Sequence, residues 1–242
     1  IHMNKTVLIT GGTRGIGKAL VKQYVDSGYK VIATGSSLKS LERSKIVYPE
    51  VRWYECNLKS VDSVKAFAHA LACEPLHMVI HNAGVQQTRN LFVAGEESIS
   101  IEEETMINFT APILLSRLLF KNVDRVAGTW VFATSGLAIS PKQSSPIYCA
   151  NKAGLRAFCK SFNGQIKVHK SNIKVCEAIL PFIETDITHS HKKGKISSSQ
   201  AALEIFEGAE KGKKEIHIGK MRLMMRMRAL FPNLIENVML KN

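Results

Sequence analysis

Short apolar runs recur along the chain, and helical patterns fill the intervals between them. KTVLIT (5–10) is a β-rich run that ends in glycines. A 3.6-residue pattern follows from Ile16 to about Val25 and stops at Gly28. YKVIAT (29–34), VRWYEC (51–56), LHMVIHNAG (76–84), GTWVFATS (128–135) and NIKVCEAILP (172–181) predict five further strands. Helical spacing appears in SLKSLERSKIVYP (37–49), which ends near Pro49, and in SVKAFAHALA (63–72). It returns over TMINFTAPILLSRLLF (105–120) and YCANKAGLRAFCKSFNGQI (148–166). The strands are near-continuous apolar runs rather than polar/apolar alternations. A sheet buried on both faces gives that pattern, and strands alternating with helices make it parallel. No linker, repeat or low-complexity tract interrupts the order. THSHKKGKISSSQ (188–200) reads as a mobile polar loop.

Composition narrows the classes. The 242 residues suffice for one large α/β domain with a substantial core. No eighteen-residue apolar segment is present, so no transmembrane helix is expected. The opening IHMNKT lacks the charged segment and apolar run of a secretory leader. IHM is read as an expression scar ahead of Asn4 and is left out of functional argument. The five cysteines are Cys56, Cys73, Cys149, Cys159 and Cys176, an odd number with no CxxC. Neither a disulfide framework nor a zinc site is expected, and a reducing cytoplasm fits. Cys149 neighbours Tyr148, but adjacent helical residues point apart, so it is given no catalytic role.

Lys and Arg number 33 against 20 Asp and Glu, a formal charge of +13. Such a balance attracts nucleotides, acyl carriers, nucleic acid or acidic membranes without choosing among them. From Lys192 onward eleven basic residues face five acids, so nearly half of the net charge lies in the last fifth of the chain.

In TVLITGGTRGIGKAL, Gly11, Gly15 and Gly17 follow a strand and open a helix. A tight turn, close approach to a pyrophosphate and close helix–strand packing each exclude a Cβ. Free N–H groups at the helix N-terminus then face the phosphates. The spacing is GxxxGxG, and TGGTRGIG resembles the TGxxxGIG motif of the short-chain dehydrogenase/reductase family. Other pieces follow in that family's order: HNAG (81–84), Asn108 in the long helix, Ser135 ending FATS, the Tyr148-x-x-x-Lys152 pair, and PFIET (181–185). The resemblance covers about residues 5–187. It implies a single Rossmann-type α/β domain over 4–242, doubly wound around a mostly parallel seven-stranded sheet in three layers. Residues 188–242 are expected to form a substrate loop and a basic amphipathic tail.

The resemblance also places the cofactor. Gly11, Thr13, Arg14, Gly15, Ile16 and Gly17 would cradle the phosphates; Asn57 would face the adenine; Leu58, Asn82, Ala83 and Gly84 are also expected to bind the cofactor. Pro181, Ile183 and Thr185 match the segment that holds the nicotinamide, although Phe182 stands where the family has glycine. Asn57 stands where family members mostly have Asp, and its amide oxygen can still accept from the adenine amino group. The second strand ends IATGSSLKS, with no acid to hold a ribose 2′-OH. Ser36 and Ser37 offer hydroxyls, Arg14 can sit over a 2′-phosphate, and Lys39 is nearby. NADP(H) is therefore favoured over NAD(H), even though no Arg occupies position 36.

Hydride transfer to a carbonyl leaves an alkoxide that needs a proton. A phenol with a pKa of about 10 exchanges protons slowly at neutral pH, and a cation one helical turn away favours the phenolate. Tyr148 is assigned as general acid in reduction and general base in oxidation. Lys152 is assigned to lower its pKa and, by the resemblance, to bind the nicotinamide ribose hydroxyls. Ser135 is assigned to donate to the substrate oxygen. Asn108 is implied to hold a water linking Lys152 to solvent. The substrate is a small-molecule carbonyl or alcohol, and a homodimer or homotetramer is expected by resemblance. The alternative is a non-catalytic dinucleotide-binding regulator or scaffold on the same fold.

His189 and His191, two apart in a Lys-rich loop, do not make a metal site without further ligands. Leu223, Met224, Met227, Leu230 and Phe231 share one helical face, with Arg222 and Arg226 beside it. That helix packs on its own domain or a partner subunit, or lies on an acidic membrane as a peripheral contact. Nucleic acid is not expected, since no binding motif accompanies the charge. The DltE-like branch of the family has a similar tail.

Overall fold

A computed structural model describes residues 4–93, 95, 97–181 and 196–240. Four apolar runs become the middle of the sheet: β1 (Thr6–Ile9), β4 (Met78–His81), β5 (Thr129–Ser135) and β6 (Lys174–Leu180). Beside them lie β2 (Lys30–Gly35), β3 (Arg52–Glu55) and β7 (Glu215–His217). The order is β3-β2-β1-β4-β5-β6-β7, and every pairing is parallel. Successive side chains feed opposite layers. Leu8, Val79, Trp130 and Phe132 belong to one core, while Val7, Ile9, Ile80 and Val131 belong to the other. The strands read as continuously apolar because both faces are covered.

Small polar residues start the helices. Ser37 caps α2 (Leu38–Val47) and Ser60 caps α3 (Val61–Ala70), each accepting from the backbone N–H three residues on. Ser100 and Glu103 form a reciprocal capping box on α4 (Ile101–Thr105). Pro146 opens α7 (Pro146–Val168) at its first turn, where a missing N–H costs nothing. α1 (Gly15–Asp26) packs on the sheet through Leu20, Val21 and Tyr24.

Two segments differ from the sequence reading. The pattern over 105–120 predicts one helix, but the structure has α4, a π-helical turn over Met106–Thr110, α5 (Ala111–Leu118) and α6 (Phe120–Asp124). Pro112 has no N–H to give the Asn108 carbonyl, so the ladder widens and the Ala111 N–H reaches back to Met106. Asn108 sits in that turn. The second difference is in 188–242, read as loop and tail. Residues 198–218 belong to the core: α8 (Ser198–Glu210) buries Ala201, Ala202, Ile205 and Ala209, and Ile216 of β7 is buried beside them. Beyond β7 come α9 (Met221–Leu230) and α10 (Pro232–Leu240).

The strand order reverses between β1 and β4. In an open parallel sheet, ligands bind in the crevice beyond the carboxyl ends of such a pair. The glycine turn leaves β1 and Asn82–Gly84 leaves β4, so the two meet there.

Candidate active site

The glycine turn needs its glycines for left-handed backbone and for close approach. Gly11 and Gly15 have φ of 68° and 53°, in the left-handed region. A Cβ on Gly17 would lie 1.9 Å from the Gly11 carbonyl oxygen. Nothing lies within 4 Å of a Cβ on Gly15, so that face of the turn is open. The first turn of α1 carries no acid, and its N-terminal N–H groups favour an anion. This cradle fits a dinucleotide. Arg14, in extended backbone at the N-cap, is exposed at its rim. Thr13 packs over Gly35, and Ile16 is half-buried.

Asn82 fastens the cradle from the neighbouring strand. Its Nδ2 donates to the carbonyls of Thr10 (3.1 Å) and Gly11 (3.3 Å). The backbone N–H groups of Asn82 and Ala83 both donate to Thr10 Oγ1. Gly84 keeps space beside Asn108 and Lys152: a Cβ there would be 3.0 Å from Asn108 Oδ1 and 3.5 Å from Lys152 Nζ.

Some residues expected at the adenine and ribose are already engaged within the protein. Ser37 Oγ accepts from the Ser40 N–H as the α2 cap and donates to Ser40 Oγ, so its hydroxyl is committed. Ser36 is exposed. Asn57 Oδ1 accepts from the Lys59 N–H at 3.1 Å, which leaves one lone pair for a ligand. Leu58 is buried. Pro181 is half-buried at the end of β6, whereas Phe182, Ile183, Thr185, His189 and His191 lie outside the described residues.

Tyr148, Lys152, Ser135 and Asn108 converge at the end of β5. Lys152 Nζ donates to the Ala133 carbonyl at 2.8 Å and lies 5.7 Å from the Tyr148 ring centroid. Ser135 Oγ accepts from the Leu137 N–H at 3.1 Å, and its hydroxyl favours the ionised form of Tyr148. Asn108 is fully buried; its Oδ1 accepts from the Val85 N–H (3.0 Å) and its Nδ2 donates to the Val85 carbonyl (2.7 Å). That pairing anchors the segment after β4 against the π-helical turn.

The electrostatics differ from the sequence expectation. Burial pushes the Tyr148 phenol up to about 12, and only the nearby Ser135 hydroxyl pulls against it. Lys152, expected to lower it, sits over the ring rather than against the oxygen. Burial lowers the Lys152 ammonium itself to about 8. His81 is pushed down to about 3 by burial and then by Lys152, so it stays neutral. It stacks 5.5 Å from Trp130 and 4.8 Å from Phe132, with Nε2 3.2 Å from Ser116 Oγ.

Two ion networks, each centred on a buried carboxylate, brace the site, and the sequence reading did not identify either. Glu177, inside β6, accepts from Thr134 Oγ1 (2.6 Å) and Arg156 Nη1 (2.6 Å), while Arg156 Nη2 meets Glu215 at 3.2 Å. Arg156 follows Tyr148 and Lys152 at the same four-residue spacing, the one signal that the sequence offered. The second network joins Arg89 Nη2 to Glu104 at 3.0 Å, with both side chains fully buried; Arg89 also pairs with Glu97. Gln86 Nε2 donates to Ser145 Oγ at 2.9 Å, tying this segment to the start of α7. Arg89→Ala would leave Glu104 buried without its cation, an expected loss of about 3–5 kcal/mol. Urea denaturation measures it, and Arg89→Leu combined with Glu104→Leu should recover most of the loss.

Comparison with known proteins identifies the family. The short chain dehydrogenase family model matches residues 5–196. The chain is 31% identical over 223 residues to the uncharacterized oxidoreductase DltE of Bacillus subtilis, covering 88% of this chain and 87% of that protein. A short chain dehydrogenase from Burkholderia cenocepacia, solved in complex with NADP, superposes with a TM-score of 0.85 at 19% identity over 99% of each chain. A short chain dehydrogenase/reductase from Burkholderia phymatum, in complex with NAD, gives a TM-score of 0.81 at 17% identity over 97% of this chain and 96% of that one. The glycine cradle at the switch point and the Ser135–Tyr148–Lys152 cluster beside it thus accompany a likeness that runs nearly end to end: the chain is an oxidoreductase of the short-chain dehydrogenase family.

Proposed function

We propose that the protein transfers hydride between NADP(H) and a carbonyl or secondary alcohol, with Tyr148 as general acid in reduction and general base in oxidation. The observation that carries this reading is the meeting of Ser135, Tyr148 and Lys152 at the carboxyl end of β5, beside the glycine cradle: Lys152 Nζ is held by the Ala133 carbonyl two residues before Ser135 and lies 5.7 Å from the Tyr148 ring centroid. That leaves the Ser135 and Tyr148 hydroxyls to serve one substrate oxygen.

A bound nicotinamide dinucleotide supplies or accepts the hydride. The side chains do the rest. Ser135, held by the Leu137 N–H, donates to the substrate oxygen and so favours charge building there. Tyr148 passes its proton to that oxygen. A phenol near 12 is protonated at neutral pH, which suits the reductive direction. Lys152, buried without an acidic partner among the described residues, places a positive charge against the ring and eases the phenolate that remains. Asn108, fixed by Val85, keeps the floor of the site in place.

Arg14 supports NADP(H). It is exposed at the rim of the cradle, and residues 36–41 after β2 hold no acid to repel a 2′-phosphate. NADPH is expected to bind at least about tenfold tighter than NADH, the range of one charge-assisted hydrogen bond. Arg14→Ala should bring the two together in fluorescence titrations, and equal affinities in the unmodified protein would refute the assignment. A screen of NADPH oxidation against ketones, aldehydes and 3-oxoacyl thioesters tests the substrate class. A cytoplasmic location and association of copies through the helices bearing Asn108 and Tyr148 complete the reading by family likeness.

A further inference from the structure

Every strand of the sheet is parallel, so every segment that leaves a strand's carboxyl end leaves at the same edge. The catalytic cluster lies at that edge. Two apolar features lie there too, and the chemistry above uses neither. After β4, Leu91, Phe92 and Val93 form a tip whose side chains face solvent; Phe92 is 98% exposed. The base of this tip is not loose, because Arg89 is buried against Glu104 and the Ile99 carbonyl. After β7, Met221 is buried and anchors α9, but the apolar face beyond it is not covered. Leu223, Leu230, Phe231 and Leu234 are each more than half exposed.

The charge around α9 and α10 identifies what covers this face. Lys220, Arg222, Arg226 and Arg228 accompany it, with Glu236 the one acid from Gly219 to Leu240. A second copy docking symmetrically would set these cations against their own counterparts. An anionic surface neutralises them and accepts the leucines and phenylalanines at once. Among the described residues no helix is long and apolar enough to cross a membrane, so the contact is with its surface.

We infer that the carboxyl-end edge of the sheet docks on an anionic lipid surface through α9–α10 and the Leu91–Val93 tip, opening the Tyr148 site toward the lipid. The substrate is then an amphiphilic carbonyl or alcohol that partitions into the bilayer. Only this substrate clause rests on the oxidoreductase reading.

The test is co-sedimentation of the full chain with vesicles of phosphatidylglycerol or of phosphatidylcholine, at low and high salt, with light scattering to read the oligomeric state. Binding is expected to phosphatidylglycerol alone and to weaken with salt. Arg222→Glu with Arg226→Glu should reduce it at least about tenfold. Phe92→Ser, an exposed change that leaves the melting temperature unmoved, should also reduce it. Tyr148→Phe should bind as the unmodified protein does, so docking is scored apart from turnover. Binding that Phe92→Ser leaves intact would overturn the edge-on geometry. No binding to phosphatidylglycerol at low salt would overturn the docking itself; so would dimers that Leu230→Ser with Phe231→Ser turns into monomers in place of lipid binding.

Discussion

Tyr148→Phe is expected to fold, to bind NADPH as the unmodified protein does, and to reduce carbonyl substrates about 100- to 10,000-fold more slowly. That range is what a positioned general acid contributes. The substitution removes one oxygen and keeps the ring, so the side-chain packing and the contact with Lys152 at 5.7 Å survive. Ser135 also survives, held by Leu137, and continues to polarise the substrate oxygen. What is lost is the proton. The pH profile of the unmodified protein tells which group sets it. Reduction needs the protonated forms, so kcat/KM should be level at neutral pH and below, and fall as pH rises. If Lys152 controls the rate, the fall comes near pH 8, where its buried ammonium deprotonates. A phenol acting alone would hold the rate until about 12. Steady-state turnover by Tyr148→Phe at near the unmodified rate would sink the proton-transfer assignment.

The sheet was legible because its central strands are buried on both faces and so leave unbroken apolar runs. The proximity of Tyr148 and Lys152 was legible because helical spacing sets them one turn apart, and the glycine turn because three requirements each exclude a Cβ. β7 left no such mark. It is three residues at the sheet edge, Glu215-Ile216-His217, with one buried apolar side chain between two polar ones. α8 buries mostly alanines, too small to stand out as a hydrophobic stripe. The π-helical turn is invisible to periodicity because Pro112, itself compatible with the start of a helix, acts on the carbonyl four residues back. The ion networks join residues far apart in sequence: Thr134, Arg156, Glu177 and Glu215 come from four elements. The direction of the Tyr148 shift depends on burial and on where the Lys152 nitrogen points, and neither is a property of spacing.

Gly17→Ala is expected to abolish measurable NADPH binding, a loss of at least about 100-fold, while Gly15→Ala costs far less. The two glycines share one motif and differ in what surrounds them. A Cβ at position 17 would sit 1.9 Å from the Gly11 carbonyl oxygen, 2.9 Å from the Gly11 carbonyl carbon and 2.6 Å from Asn82 Nδ2. Two of these are backbone atoms and cannot swing aside, so the turn must open. Opening it breaks the Asn82 bonds to Thr10 and Gly11 that hold the cradle to β4. The N–H groups that face the phosphates then lose their geometry, and binding falls with them. At position 15 the added methyl meets nothing, and the cost is that of an alanine at φ 53°, about 1–2 kcal/mol. NADPH titration by fluorescence compares the variants, and thermal melting separates a distorted turn from a lost fold. Asn82→Ala supplies an independent measure, since it removes the bonds without adding bulk and should weaken binding in the same direction. If Gly17→Ala bound NADPH within tenfold of the unmodified protein, the cradle would not be where the phosphates sit.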